Sequence, residues 1–196
     1  CEDPRMNPGS PSSSRADLLA VLDQVHDHVR PLIGQGKVAS YIPRLANVPI
    51  DRFGMAVATL DGEMIGIGDA DEKFSIQSIS KVFTLTLALE ALGGELWKRV
   101  GREPSGNAFN SLVQLERERG IPRNPLINAG AHVIADVILS SSPSAREDLL
   151  GFVRERADNA AISMDEDVAR SEREAGFRNA ALANFVRSFN NLDNDV

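Results

Sequence analysis

The run Ser78-Ile-Ser-Lys81 is the strongest candidate for chemistry in this sequence. At a helix start, positions i and i+3 share a face, so the lysine amine lies beside the serine hydroxyl and can take its proton. Burial and the positive end of a helix both disfavour the ammonium form, leaving more of the lysine as neutral base. A Ser/Lys pair of this kind makes a nucleophile without histidine. The tetrapeptide is short. With 17 serines and four lysines in the chain, chance alone supplies it about 0.35 times, and a solvated Ser and Lys on a helix surface is the competing reading. Placement favours chemistry, because the pair follows a strand-and-turn segment and opens the most apolar helical stretch of the chain.

Other constellations fare worse. Gly34-Gln-Gly36-Lys-Val-Ala39 matches the degenerate dinucleotide pattern, but it follows a helix and lacks the βαβ setting that gives the pattern meaning. His26-Asp-His28 is no metal pair on a helix, since i and i+2 point to nearly opposite sides; two solvated histidines is the better reading. His132 stands alone in a helical stretch, as a satisfied buried histidine or a surface one, and a Ser-His-Asp triad has little support. Asn124 suits a cap. Asn128 is placed one turn inside the following helix, where Asn is a poor helix former, so a polar site there competes with a bland role. The segment 103–110, with its turn formers and two asparagines, reads as a loop. Arg170, Glu172, Arg178 and Asn179 have nothing distinctive in their spacing.

These residues need elements to hold them. Leu18, Leu19, Leu22, Val25 and Val29 predict an amphipathic helix over 16–30, ended by Gly34 and Gly36. Residues 37–46 read as a short helix or turn broken by Pro43. Asp61-Gly62 between apolar stretches predicts a hairpin over 54–68, both turn positions favouring positive φ. A helix buried on most sides is expected over 78–92, stopped by Gly93-Gly94. Further helices are expected over 125–139, with Ala131, Ile134, Ala135 and Ile138 on one face, and over 144–157 and 178–190. An isolated two-stranded hairpin is marginal in water, so either it belongs to a larger sheet or it is a flap on a mostly helical domain. The Ser- and Pro-rich residues 1–15 read as a disordered tail, and residues 16–196 as one partial domain.

Composition narrows the function classes. The 196 residues carry 21 Lys+Arg against 28 Asp+Glu, a net charge of −7. Such a chain has no electrostatic footprint for nucleic acid and suits an anionic membrane surface poorly. No apolar run approaches the roughly 18 residues of a spanning helix. The single cysteine, Cys1, excludes an intramolecular disulfide framework. The opening residues have no apolar core of a signal peptide, and a cytosolic location is expected. The chain opens on Cys1, which leaves Met6 as a natural start or the chain as a fragment.

Taken together, several words of this sequence resemble the serine-dependent glutaminases. They are Gly36-Lys-Val-Ala-Ser-Tyr-Ile-Pro43, Phe74-Ser-Ile-Gln-Ser-Ile-Ser-Lys-Val-Phe83, Glu103-Pro-Ser-Gly-Asn, Phe109-Asn-Ser-Leu and Gly120-Ile-Pro-Arg-Asn-Pro-Leu-Ile-Asn-Ala-Gly130, continuing through Val168-Ala-Arg-Ser-Glu172 and Arg178-Asn-Ala-Ala181. The resemblance implies an α+β fold of the serine β-lactamase/penicillin-binding-protein type, with helices around a central, mainly antiparallel sheet, here incomplete at the C-terminus. It implies Ser78 as nucleophile and Lys81 as its general base, with Tyr41, Asn128, Glu172 and Asn179 lining a site for L-glutamine. Glu172 is the natural partner of the α-ammonium; the amides and the Tyr41 hydroxyl can bond the carboxylate or amide. The reaction implied is hydrolysis to L-glutamate and ammonia through an acyl-enzyme, with no metal or organic cofactor, in a homo-oligomer (dimer or tetramer).

Family members continue beyond the point where this chain stops. The part they add supplies further strands, two active-site tyrosines and a second oxyanion donor, and losing one such donor costs ~10²–10³ in rate. The alternative is therefore a catalytically inactive truncated remnant that acts through self-association, invited by an unfinished sheet edge. A penicillin-interacting hydrolase also uses Ser-x-x-Lys, but the later Lys-Ser/Thr-Gly of that class is absent.

Overall fold

In the computed structural model, which describes residues 14–195, Ser14 opens helix α1 (Arg15–Val29) with a capping box: its hydroxyl accepts from the Asp17 backbone N–H while the Asp17 carboxylate accepts from the Ser14 backbone N–H. Ser14 and Arg15 thus belong to the helix rather than to the tail expected over 1–15; the rest of that tail lies outside the described residues. The chain forms two compact units. One holds the described residues up to Tyr41 with Leu45–Phe74; the other holds Ile42–Arg44 with the described residues from Ser75 onward.

The first unit packs α1 against a hairpin of β1 (Gly54–Ala58) and β2 (Met64–Gly68), antiparallel with Val57 opposite Ile65. The hairpin is where the sequence puts it, but its turn differs. Three residues, Leu60, Asp61 and Gly62, form the loop; Gly62 N–H bonds Thr59 C=O, and of the turn residues Gly62 has the positive φ, 91°. This is a type I turn followed by a left-handed glycine, so Asp61 keeps an ordinary φ. Among the described residues the sheet stays at two strands. The region 37–46 contains no α-helix, and a 3₁₀ turn follows at Leu45–Asn47. His26 is not freely solvated: its ring stacks on Phe53 at 5.4 Å.

The second unit is helical. A 3₁₀ turn, Gln77–Ile79, leads into α2 (Ser80–Leu92), and a second 3₁₀ stretch, Gly93–Lys98, follows. Gly93 ends α2 as its sequence predicts, with φ 54°. Then come α3 (Leu112–Arg117), α4 (Asn128–Ser141), α5 (Ala145–Arg156), α6 (Glu166–Ala175) and α7 (Phe177–Ser188). Helix α4 is the central element, packed on α2, α5 and α7. Its buried positions include Ala129, Val133, Ile134, Val137 and Ile138, joined in one core by Ala88, Leu96, Leu182 and Val186. Ala135, expected on the apolar face, is exposed, because the buried face is centred on Val133 and Val137.

Helix α2 is not buried on most sides as its composition suggests. Ala88 is its one buried residue, and Val82 stays 57 % exposed. Its packing partners are α4, α5 and the flanking 3₁₀ stretches, and Val82, Thr86 and Glu90 stay exposed. Helices α3 and α6 were not visible in the hydrophobic pattern. Helix α6 buries Val168 alone and is held by polar devices: Asp165 caps the N–H groups of Asp167 and Val168, and Arg146 pairs with Glu166. No described helix is long and apolar enough to cross a membrane.

Candidate active site

Ser78 sits in the 3₁₀ turn that feeds α2, exposed, and Lys81 lies in the first turn of that helix, half-buried. The residue before the serine, Gln77, has φ 43°, a left-handed conformation that is costly for a residue with a Cβ. The strain is stored at the corner that presents the Ser78 hydroxyl. Sequence reading had no signal for it.

Lys81 reaches away from its helix. Its Nζ donates to the Leu126 carbonyl at 2.9 Å and to Asn128 Oδ1 at 2.8 Å, and lies 5.8 Å from the centre of the Phe109 ring. Among the described residues Ser78 Oγ and Lys81 Nζ form no direct hydrogen bond. A neutral amine has two N–H donors and one lone pair. Both donors are satisfied here, which leaves the lone pair free to accept a proton. Burial pulls the Lys81 ammonium below the ordinary lysine range, and the Glu172 carboxylate partly opposes that shift.

Asn128 is the first residue of α4, not one turn inside it. It stands there because the preceding turn is tied down. Asn124 Oδ1 accepts from the N–H groups of Leu126 and Ile127, and Asn124 Nδ2 donates to the Glu103 carbonyl. Asn124 therefore caps the turn rather than the helix, whose N-cap is Ile127. The Asn128 N–H donates to the Phe109 carbonyl at 2.9 Å. Gly130 allows the close approach: a Cβ there would lie 2.0 Å from the Asn124 carbonyl oxygen.

With its Oδ1 on Lys81, Asn128 turns its Nδ2 to Asn179 Oδ1 at 3.0 Å. Asn179, in the first turn of α7, is thereby fixed by its Oδ1. Glu172, half-buried on α6, acts on the charge of Lys81. The structure thus brings together Lys81, Asn128 and Asn179 by direct hydrogen bonds, with Glu172 beside them and Ser78 one turn before the lysine. Tyr41 is 68 % exposed and belongs to the first unit.

Two further residues of this neighbourhood were given no site role by the sequence. Phe109 comes from the loop 101–111, whose Ser105 and Asn107 bond the buried Gln114 amide; nothing in its spacing points to Lys81. His132 lies four residues after Asn128 on α4, and helical spacing would have found it. Its ring is half-buried and its Nε2 is buried without a partner. No group of three or more His, Cys, Asp or Glu among the described residues could hold a metal ion.

Comparison with known proteins fits this geometry. Residues 36–196 match the sequence profile of the family described as Glutaminase. A glutaminase of Rhizobium rhizogenes strain K84 is 60 % identical over 183 residues, covering 92 % of this chain and 59 % of the relative. A thermolabile glutaminase of Rhizobium etli is 58 % identical over the same length and with the same coverage. A solved structure described as a probable glutaminase superposes with a TM-score of 0.86 at 35 % identity, over 93 % of this chain and 59 % of that one. A probable glutaminase from Bacillus subtilis, complexed with 6-diazo-5-oxo-L-norleucine, gives 0.75 at 31 % identity, over 95 % and 56 %. The chain belongs to the glutaminase family, and its fold is the α+β, β-lactamase-like fold of those enzymes. It spans about 59 % of the length of these curated relatives.

Proposed function

We propose that this chain carries the nucleophile and much of the substrate-binding wall of a glutaminase that hydrolyses L-glutamine to L-glutamate and ammonia. The observation that supports it most is the row Lys81–Asn128–Asn179, in which Lys81 Nζ is held by two neutral acceptors and Asn128 links it to Asn179.

Ser78 Oγ attacks the side-chain carbonyl carbon of glutamine while Lys81 Nζ takes its proton. The resulting oxyanion accepts from the Ser78 backbone N–H. Lys81 then gives the proton to the departing nitrogen, ammonia leaves, and water attacks the γ-glutamyl ester with Lys81 again as base. Glu172 pairs with the α-ammonium, and Asn179 bonds the remaining polar atoms of the ligand. Residues 16–196 form part of a domain that the longer relatives extend. Self-association as a dimer or tetramer and a cytosolic location belong to the same proposal.

The test is ammonia release from L-glutamine by the purified chain, beside Ser78→Ala and Lys81→Ala. Release by the wild type that disappears in both variants is expected. Release that survives Ser78→Ala sinks the assignment of the nucleophile.

A further inference from the structure

His132 lies outside the mechanism just described, yet it shares a helix face with Asn128, four residues away. Its Nε2 is buried and makes no hydrogen bond, and a buried ring nitrogen without a partner needs an explanation. The ring borders a cavity of about 370 Å³ whose wall also contains Glu172 and Asn179. The charged groups around it are Lys81 on α2, Glu172 and Arg173 on α6, Asp136 on its own helix and Asp195 in the C-terminal segment, while α7 adds only the uncharged Asn179, Ala180 and Ala183. Burial first, and the Lys81 charge second, hold the imidazole below its ordinary range.

We propose that His132 is a positioning residue of this same site, whose neutral imidazole keeps the cavity beside Glu172 and Asn179 open to the ammonium end of an α-amino acid and whose protonation opposes that ligand. The inference rests on the glutaminase reading, because it takes Glu172 as the partner of the ligand's ammonium. A cation formed at His132 repels that ammonium and competes for Glu172. By linkage, the ligand must lower the His132 proton affinity by the same factor as the His132 proton weakens the ligand. With a factor of about ten, the two observables are a one-unit fall in the His132 midpoint and a tenfold loss of affinity. A ligand that turned its carboxylate to His132 would reverse both signs.

The experiment is NMR on the whole chain, following the histidine ring signals from pH 5 to 8 with and without saturating L-glutamate, which is not turned over. His132→Gln assigns the signal and supplies the uncharged comparison. The expected result is a His132 midpoint below about 6.5 that falls further, by about one unit, when L-glutamate binds. The affinity for L-glutamate then drops up to tenfold from pH 8 to pH 5 in the wild type and less steeply in His132→Gln. If the Asn128 and Asn179 amide signals respond to L-glutamate while the His132 midpoint stays or rises, this inference is overturned and the site stands. If those amides do not respond at all, the reading of the site fails, and the inference fails with it.

Discussion

At the scale of single residues, the orientation of one amide sets the electrostatics of the site. Asn128 Oδ1 accepts from Lys81 and its Nδ2 donates to Asn179. Asn128→Asp keeps the shape and changes both ends of this row. A carboxylate beside Nζ stabilises the ammonium and raises the Lys81 pKa, the reverse of what burial does in the wild type. It also cannot donate to Asn179 Oδ1. Each unit of upward shift removes about tenfold of the neutral amine at pH 7. The expected outcome is a neutral-pH rate lower by about tenfold or more and a rate profile displaced to alkaline pH. A variant that loses rate without any displacement of its profile would show that Asn128 does not tune Lys81. Ser78 and Lys81 are legible in the sequence because one helical turn links them. The Asn128 contact is not, because a hydrogen bond across 47 positions leaves no local trace. Glu172 and Asn179 are found by resemblance alone, for the same reason.

At the scale of elements, the start of α4 depends on how closely the Asn124–Pro125 turn can approach it. Gly130→Ala places a methyl group 2.0 Å from the Asn124 carbonyl oxygen and 2.8 Å from Pro125 Cα. Both are backbone atoms, so the turn must move, and overpacking of this kind costs about 1–3 kcal/mol. Asn128 moves with the turn, so the affinity for L-glutamate should fall as well. Gly151 gives the contrast. It lies exposed in the middle of α5, and a Cβ there meets nothing within 4 Å. Gly151→Ala should stabilise the helix by roughly 0.5–1 kcal/mol. Urea unfolding of the two variants checks both signs, and equal effects would refute the role given to Gly130. These two glycines look alike in the sequence, since both stand in helical runs. The same limit explains the missed helices. The repeating leucines of α2 and the apolar face of α7 announce themselves, whereas α6 is held by the Asp165 cap and the pairing of Arg146 with Glu166, which no hydrophobic periodicity records. The hairpin was legible from Asp61-Gly62, but the third loop residue, Leu60, was not, because only its hydrogen bonding separates it from the strand.

At the scale of the molecule, burial is uneven, and stability should follow it. Helix α1 buries Leu22 and the hairpin buries Ile65, whereas seven residues of α4 are buried. Amide hydrogens of 54–68 should therefore exchange orders of magnitude faster than those of 129–138, through local opening. Matching protection in both would contradict that division. The C-terminal segment is tied to α4 through Asp136. Its Oδ1 accepts from the N–H groups of Asp193 and Asn194, and its Oδ2 pairs with Arg99 at 2.6 Å. Arg99 in turn donates to the Asn191 carbonyl, and Asn191 donates to the Arg99 and Gly120 carbonyls. Burial by itself would raise the Asp136 pKa. Arg99 and the donors of Asn194 and Asp193 more than offset it, so the carboxyl lies below its ordinary value in the folded chain. The unfolded chain therefore takes up this proton first as the pH falls. The stability contributed by the ionised group is complete above the ordinary carboxylate range near pH 4 and is lost as the pH falls through the lower folded value. Asp136→Asn leaves an acceptor for Asn194 but removes the buried carboxylate from Arg99, which keeps the exposed Asp193 carboxylate at 3.3 Å, so losing this charged hydrogen bond costs about 1.5–3 kcal/mol. Urea unfolding should show a gap of that order between wild type and variant at pH 7. The gap should narrow as the pH falls below about 4, where the unfolded chain takes up this proton before the folded one does. A gap that is constant across this range would mean that Asp136 holds the C-terminal segment by shape and hydrogen bonding, with its charge contributing nothing.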